Sequence, residues 1–218
     1  MTIHSNASLK LYMESAIATA KTIESATNAD PGVFTSTAHG YNNGDVVLIQ
    51  CQGMVEVNSR VFKVVGIAAD TFKLAGIDGV TGIDTTSYGL FVSGSAQKVT
   101  LGTTITGVQD FNLSGGDIKM ADSTTVLDNV DTQVVVGASA MSYDMTMQWD
   151  PSNAGQQAMR AAFDIRAAKT FKVLWPDGAH VLFYGTVGYT LAPGGGKQSV
   201  TTSPAKVAMN GPITPYAA

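Results

Sequence analysis

Between positions 140 and 149, Met141, Tyr143, Met145, Met147 and Trp149 take every second place, with Ser142, Asp144, Thr146 and Gln148 between them. A period of two sends successive side chains to opposite faces of a strand. The segment therefore predicts a strand with one dry and one polar face, as in an antiparallel sheet whose second side meets water. Further strands are predicted over 105–113, 124–127, 132–136, 171–175, 180–191 and 199–209, where β-branched and aromatic residues gather between turn signals. Pro176-Asp177-Gly178 predicts a hairpin turn, and Ala192-Pro193-Gly194-Gly195-Gly196-Lys197 a flexible tip between two strands.

From 28 to 98 the texture is finer. Val46-Val47-Leu48-Ile49, Val61-Phe62-Lys63-Val64-Val65 and Thr71-Phe72-Lys73-Leu74 stand between turn clusters such as Gly40-Tyr41-Asn42-Asn43-Gly44-Asp45. Short strands joined by tight turns, in a stretch of this size, predict a small β-barrel. One helix is predicted from 152 to 168, with Asp150 as its cap and Pro151 at the first helical position, where a missing N–H costs nothing. Residues 9–20 carry a weaker helical spacing, and the tail from Gly211-Pro212 is expected to leave regular structure.

Composition sharpens this picture. The 218 residues are 44% hydrophobic but only 14% charged, with 23 glycines and a net charge of −4, whereas soluble domains average about 25% charged residues. Two explanations fit: a Thr-rich β protein with a neutral polar surface, or a surface that largely faces copies of itself, since interface cores are depleted in charge. The charge is also divided along the chain, −6 over 110–150 and +4 over 151–218. The two segments either complement each other head to tail between copies or neutralise each other within one subunit. Acidity argues against a DNA-coating role, because phosphate affinity comes from clustered Lys and Arg. No apolar run approaches the roughly 18 residues that span a bilayer, and the N-terminus lacks a secretory pattern. A soluble chain made in a cytoplasm is expected.

Catalytic chemistry finds little footing. His4, His39 and His180 stand in no metal-ligand spacing, and the single Cys51 excludes an internal disulfide or a Cys-rich zinc site. Cys51 follows an apolar strand, a setting more typical of a small buried hydrophobe than of a nucleophile paired with His39. No GxSxG elbow occurs. Gly194-Gly195-Gly196-Lys197 lacks the spacing and following helix of a phosphate loop. No cofactor and no enzyme activity are expected.

The order of elements from 100 onward, with Asp150-Pro151 opening a lone helix, Trp175-Pro176-Asp177-Gly178, Val181-Leu182-Phe183-Tyr184-Gly185-Thr186-Val187-Gly188-Tyr189 and a closing Ala208-Met209-Asn210-Gly211-Pro212-Ile213, resembles the tail tube proteins of long-tailed bacteriophages. The stretch Asp30-Pro31-Gly32-Val33-Phe34-Thr35, Ala38-His39-Gly40-Tyr41-Asn42-Asn43-Gly44-Asp45 and Asp70-Thr71-Phe72-Lys73-Leu74 is similar to the small β-barrel called FCCH after ubiquitin-activating enzymes. Together these resemblances imply a mainly β fold. A tail-tube β-sandwich with one flanking helix would be built from 1–26 and 100–218, and a small β-barrel inserted at 27–99.

The resemblance further implies a structural subunit that forms six-membered rings. These would stack head to tail into a hollow conduit for DNA ejection, in a virion tail assembled in the bacterial cytoplasm. The implied partners are copies of the chain itself, the tape-measure, tail-tip and tail-terminator proteins, and phage DNA in transient passage, with no membrane insertion. DNA must slide without sticking, so the bore should be acidic or neutral, which makes Ser142, Asp144, Thr146 and Gln148 candidate bore-facing residues. The tip at Pro193, Gly194, Gly195, Gly196 and Lys197, and the N-terminal arm, are candidate contacts between rings. An alternative from a different class is a tail or baseplate module that binds host-surface carbohydrate, which calls for aromatic residues on an exposed face. The tube of a contractile secretion device is a third.

Overall fold

The structure is a computed structural model and describes residues 8–125, 129–189, 193–197 and 199–218. Its strands form two eight-stranded sheets and one two-stranded ribbon. The chain enters through β1 (Lys10–Met13), then runs through β2 (Ala16–Ile17), β3 (Lys21–Ile23), β4 (Ser25–Ala26), β5 (Phe34–Thr35), β6 (Val46–Gln52), β7 (Arg60–Val65), β8 (Thr71–Leu74) and β9 (Ser93–Thr100). It returns through β10 (Thr103–Ile105), β11 (Val108–Ser114), β12 (Ile118–Asp122), β13 (Gln133–Ala138) and β14 (Ser142–Gln148) to α1 (Ala154–Asp164). Four strands complete it: β15 (Ala168–Leu174), β16 (His180–Tyr189), β17 (Thr202–Met209) and β18 (Thr214–Tyr216).

The first sheet has the order β10-β1-β15-β16-β17-β14-β11, with β18 added on β16, and every pairing is antiparallel. Its strands fold over one core. Leu11, Met13, Phe171, Val173, Val181 and Phe183 from one half meet Tyr143, Met145, Met147, Val187, Ala205 and Val207 from the other. The Tyr143 and Phe183 rings touch at 4.8 Å across the two halves. Long β16 serves both layers: its first residues pair with β18 and its last with β17. Helix α1 buries Met159 and Ala162 in the same core. This is a β-sandwich with one flanking helix.

In the second sheet the order runs β2-β9-β6-β7-β8-β5-β4, and β3, one residue before β4, pairs back onto β9. The β3–β4 segment thus joins both ends of the path and closes a barrel. Its interior holds Phe34, Tyr41, Met54, Phe62, Phe72 and Leu74, with Tyr41 donating its hydroxyl to the Ala96 carbonyl at 2.8 Å. The barrel grows out of a hairpin of the sandwich. β1 and β10 pair with each other there, while their continuations β2 and β9 pair in the barrel.

Several local expectations are corrected. Residues 9–20 form β1 and β2 rather than a helix, because β10 and β15, remote in sequence, pair with β1 from both sides. The helix is shorter than predicted and is capped by Asn153, whose side chain accepts the Gln156 N–H. Asp150 instead closes the preceding turn by accepting from the Ser152 N–H and hydroxyl. The predicted strand 105–113 is two strands that part at Gly107, which has φ +78°. The strand expected at 124–127 lies earlier, as β12, and 126–127 fall outside the described residues. The tail forms edge strand β18, where Pro215 is tolerated because an edge has a side that needs no N–H. Separately, β3 pairs with β9 and β4 with β5.

Candidate functional site

Cross-strand partners share a sheet face, so register identifies the side chains that point away from the sandwich core. Across the β11-β14-β17-β16 layer three rows result: Asp110–Thr146–Pro204, Asn112–Asp144–Lys206–Gly188 and Ser114–Ser142–Ala208–Thr186. This is the polar face that the alternation in β14 predicts, and Tyr143, Met145 and Met147 on its reverse are buried. Of the four residues singled out on it, Asp144 and Thr146 are half-buried and Gln148 is exposed. Ser142 is only 6% exposed and belongs with the covered positions. At the ends of the pattern Met141 is half-buried and Trp149 exposed, while their backbones still bond to Met209 and Thr201.

Charge on this face is sparse and partly cancelled. Lys206 meets Asp144 at 3.0 Å within one subunit, one ion pair between the acidic 110–150 segment and the basic 151–218 segment. With Asp110, the rows carry two acids and one base. An open hollow of about 610 Å³ lies here, bounded by Asp110, Asn112, Asp144, Thr146 and Lys206, with Phe163 of α1 also lining it.

The opposite layer presents a different face. Leu182 and Tyr216 pack with Leu48, Val61, Val65, Ala75 and Val99 of the barrel. Lys63 N–H donates to the Tyr216 hydroxyl at 2.7 Å, and Arg60 Nε to Thr214 at 2.9 Å. Both layers turn their inner sides to one core, so the barrel covers one outer face of the sandwich and the Asp144 face looks the other way.

Two features lie at the ends of the β14 layer. Beyond Ser114 and Ser142 the β11–β14 hairpin continues, through Gly115 and Gly116 at positive φ, into the β12–β13 ribbon. Every residue of that ribbon's two strands is exposed, including Ile118, Met120, Val134, Val135 and Val136. At the other end the tip 193–197 is exposed, with Gly194 paired to Thr202 through two backbone bonds of 2.9 Å and Gly196 N–H on Ser199 Oγ at 2.6 Å. Strand periodicity announces Val134-Val135-Val136, but nothing in the sequence signals that it finds no cover among the described residues. The N-terminal arm before Ser8 lies outside the described residues, as does His4.

The groups that chemistry would need are apart and occupied. Cys51 is buried and its thiol donates to the Met54 carbonyl at 3.1 Å. Burial, helped by Glu56, pushes that thiol up, away from the reactive thiolate. His39 accepts from Tyr41 N–H through Nδ1 and meets the Ala68 carbonyl through Nε2. Among the described residues no three His, Cys, Asp or Glu side chains gather as metal ligands, and no helix is long and apolar enough to cross a membrane.

The sequence profile of the phage tail tube proteins (TTP) matches residues 52–218. The chain belongs to the phage tail tube protein family. As a member it is a structural component of the tail and not an enzyme. The family match begins at the end of β6, so it spans much of the barrel as well as the sandwich. A solved chain described as the tail of an empty GTA particle, with C6 symmetry, aligns with 16% identity and a TM-score of 0.42. It covers 55% of this chain and 88% of that one. No curated protein matches the chain in sequence.

Proposed function

We propose that this tail tube protein closes into six-membered rings that stack into the hollow conduit for phage DNA, with the Asp144 face of the sandwich lining the bore. The observation that carries this reading is the edge of that layer. β11 pairs with β14 on one side and, among the described residues, with no strand on the other. A seven-residue edge strand left open is a template for a further strand. A ring of copies, each adding its layer to the next, removes every such edge at once. The half-cancelled charge of the Asp144 face also suits passage of a polyanion, because few cations stand there to hold phosphate.

The second sheet is best explained as an inserted barrel running from about β2 to β9, a wider span than 27–99. It sits on the outer side of the wall, where it leaves the bore clear. Tape-measure, tip and terminator proteins, and assembly in the host cytoplasm, accompany this reading. The carbohydrate-binding alternative calls for exposed aromatic platforms. The barrel's aromatic side chains are instead buried, as Phe34, Tyr41, Phe62 and Phe72, or half-buried, as Tyr88 and Phe91.

Negative-stain electron microscopy with light scattering, on the purified chain over a concentration series and with added tail tips as initiator, tests the proposal. Rings of six or hollow tubes are the expected result. A monodisperse monomer under all of these conditions overturns it.

A further inference from the structure

Between the barrel and β18 lies a cavity of about 140 Å³, walled mainly by Phe62, Ala75, Ile77, Ile83 and Tyr88. One charged residue lines it, Arg60, the first of β7. Its guanidinium stands 4.8 Å over the Phe62 ring. Nε donates to Thr214 Oγ1 at 2.9 Å, and Nη1 to the Glu56 carbonyl at 3.4 Å. A guanidinium carries five N–H donors, and among the described residues only these two are engaged. Its charge is not balanced either, since among the described residues it forms no ion pair. The acids of the surrounding segments are committed elsewhere. The Glu56 carboxylate accepts from Gly89 N–H at 3.2 Å, Asp78 from Val80 and Thr81, and Asp84 from Thr86. Burial pushes the Arg60 guanidinium below its ordinary pKa, opposed by the Tyr88 and Tyr216 phenols. A half-buried cation with spare donors and no counter-charge is costly to keep.

We propose that this cavity binds a carboxylate on a short apolar stem, with Arg60 taking the carboxylate and Phe62, Ile83 and Tyr88 the stem. The planar fork of a guanidinium matches the two oxygens of a carboxylate. One cation balances one negative charge, whereas a phosphate dianion would leave a net charge against an apolar wall. Size points the same way. At about 140 Å³ the cavity is well below the roughly 300–1,000 Å³ of pockets for drug-sized ligands, so the stem is only a few carbons long. The side chains of Asp and Glu and small free organic acids share this chemistry. The site is independent of the ring reading, because every residue that builds it belongs to one chain.

The test titrates sodium propionate into the isotopically labelled chain of 218 residues, against sodium chloride at equal ionic strength, and follows the amide resonances by NMR. A saturable shift centred on Ala75, Gly76, Tyr88 and Thr214 is expected, with half-saturation at about 1 mM. Propionamide, the same shape without the charge, and inorganic phosphate, charge without the stem, should each need about tenfold more or worse. Arg60→Lys keeps the charge but loses the fork and should weaken propionate about tenfold, while Arg60→Gln should abolish its binding. Arg60 also braces Thr214, so the parent chain carries the decision. A response that rises linearly to roughly 50 mM, or that saturates only at residues away from the cavity, overturns the proposal. Phosphate or propionamide binding as tightly as propionate overturns the carboxylate assignment. Equilibrium dialysis of labelled propionate against dilute and assembled chain then separates the two sources of the group. Equal uptake assigns a free acid; uptake lost on assembly assigns an Asp or Glu side chain of a neighbouring molecule.

Discussion

At the scale of single residues, the seam between sandwich and barrel holds a buried imidazole, His180. His180 is buried, stacks on Tyr216 at 5.1 Å and holds the Gly178 carbonyl through Nδ1 at 3.0 Å. Its imidazole pKa is lowered from 6.5, chiefly by burial, with Lys63 and Lys172 adding to the effect and Gly178 opposing it. The seam therefore favours the neutral ring. At a pH between the two values the unfolded chain binds the proton and the folded chain does not, so stability is complete above about 6.5 and falls as the pH drops through the folded value. Urea unfolding of the parent chain should show a loss between pH 7 and pH 5 that His180→Phe, which keeps the stack but cannot titrate, flattens. Equal slopes in both proteins would refute it. Asp78, Asp84, Asp122 and Asp150, held low mainly by hydrogen bonds from Thr and Ser, act only at a more acidic pH. A second residue-scale constraint is Gly185, where β16 passes β17. A Cβ there would stand 2.5 Å from the Ala208 carbonyl oxygen and 2.9 Å from a Val207 methyl. Gly185→Ala should cost about 1–3 kcal/mol in urea unfolding, the range of overpacked cores.

At the scale of elements, the cap of α1 separates what the chain displays from what folding decides. Asn153→Ala removes the acceptor for Gln156 N–H and a bond to Thr106, and should cost about 1 kcal/mol. Asp150→Ala breaks only an exposed turn with Ser152 and should cost clearly less; the reverse order in denaturant midpoints would refute the assignment. Asp150-Pro151 looked like the start of the helix because both residue types suit that place. The turn they make, with Asn153 N–H on the Asp150 carbonyl at 3.1 Å, moves the cap three residues on, from Asp150 to Asn153. The same contrast runs through the strands. β14 was legible because its alternation is local and one face is buried. β1 was not, since Lys10-Leu11-Tyr12-Met13 is fixed by partners at 103–105 and 171–174, separations that no local pattern carries. On the candidate bore face, Asp144, Thr146 and Gln148 followed from the period, while the burial of Ser142 between Ser114 and Ala208 depends on strands 28 and 66 positions away. The ribbon is the extreme case: its strand character is local, and no described residue covers it.

At the scale of the whole molecule, the two sheets behave as one body or two according to the seam. Leu182 and Tyr216 are fully or nearly fully buried against Leu48, Val61 and Val99, and the polar contacts around them all cross from β7 or the 76–79 loop to β18: Lys63 to Tyr216, Arg60 to Thr214, and Ala217 N–H to the Ile77 carbonyl at 2.7 Å. The Tyr216 phenol is pushed up to about 12, mainly by burial, so it stays neutral and available to Lys63 N–H across the physiological range. The covalent connection is also double, through β1–β2 and β9–β10, and it is braced where Ser15 N–H and hydroxyl both reach the Thr100 carbonyl. A barrel held by two strands, an apolar contact and a terminal strand should not swing independently. The parent chain is therefore expected to unfold in one calorimetric transition. Tyr216→Ala removes a buried ring from the junction, at a cost of about 3–5 kcal/mol if it behaves as other large aromatic truncations do. Because the sandwich core and the barrel core each remain whole, that variant should split the single transition into two, one for each sheet, rather than lower one midpoint. A single transition in both proteins would mean that the paired linkers alone couple the bodies. A double transition in the parent would mean that the seam couples them too weakly to set the barrel's direction on the outside of the tube.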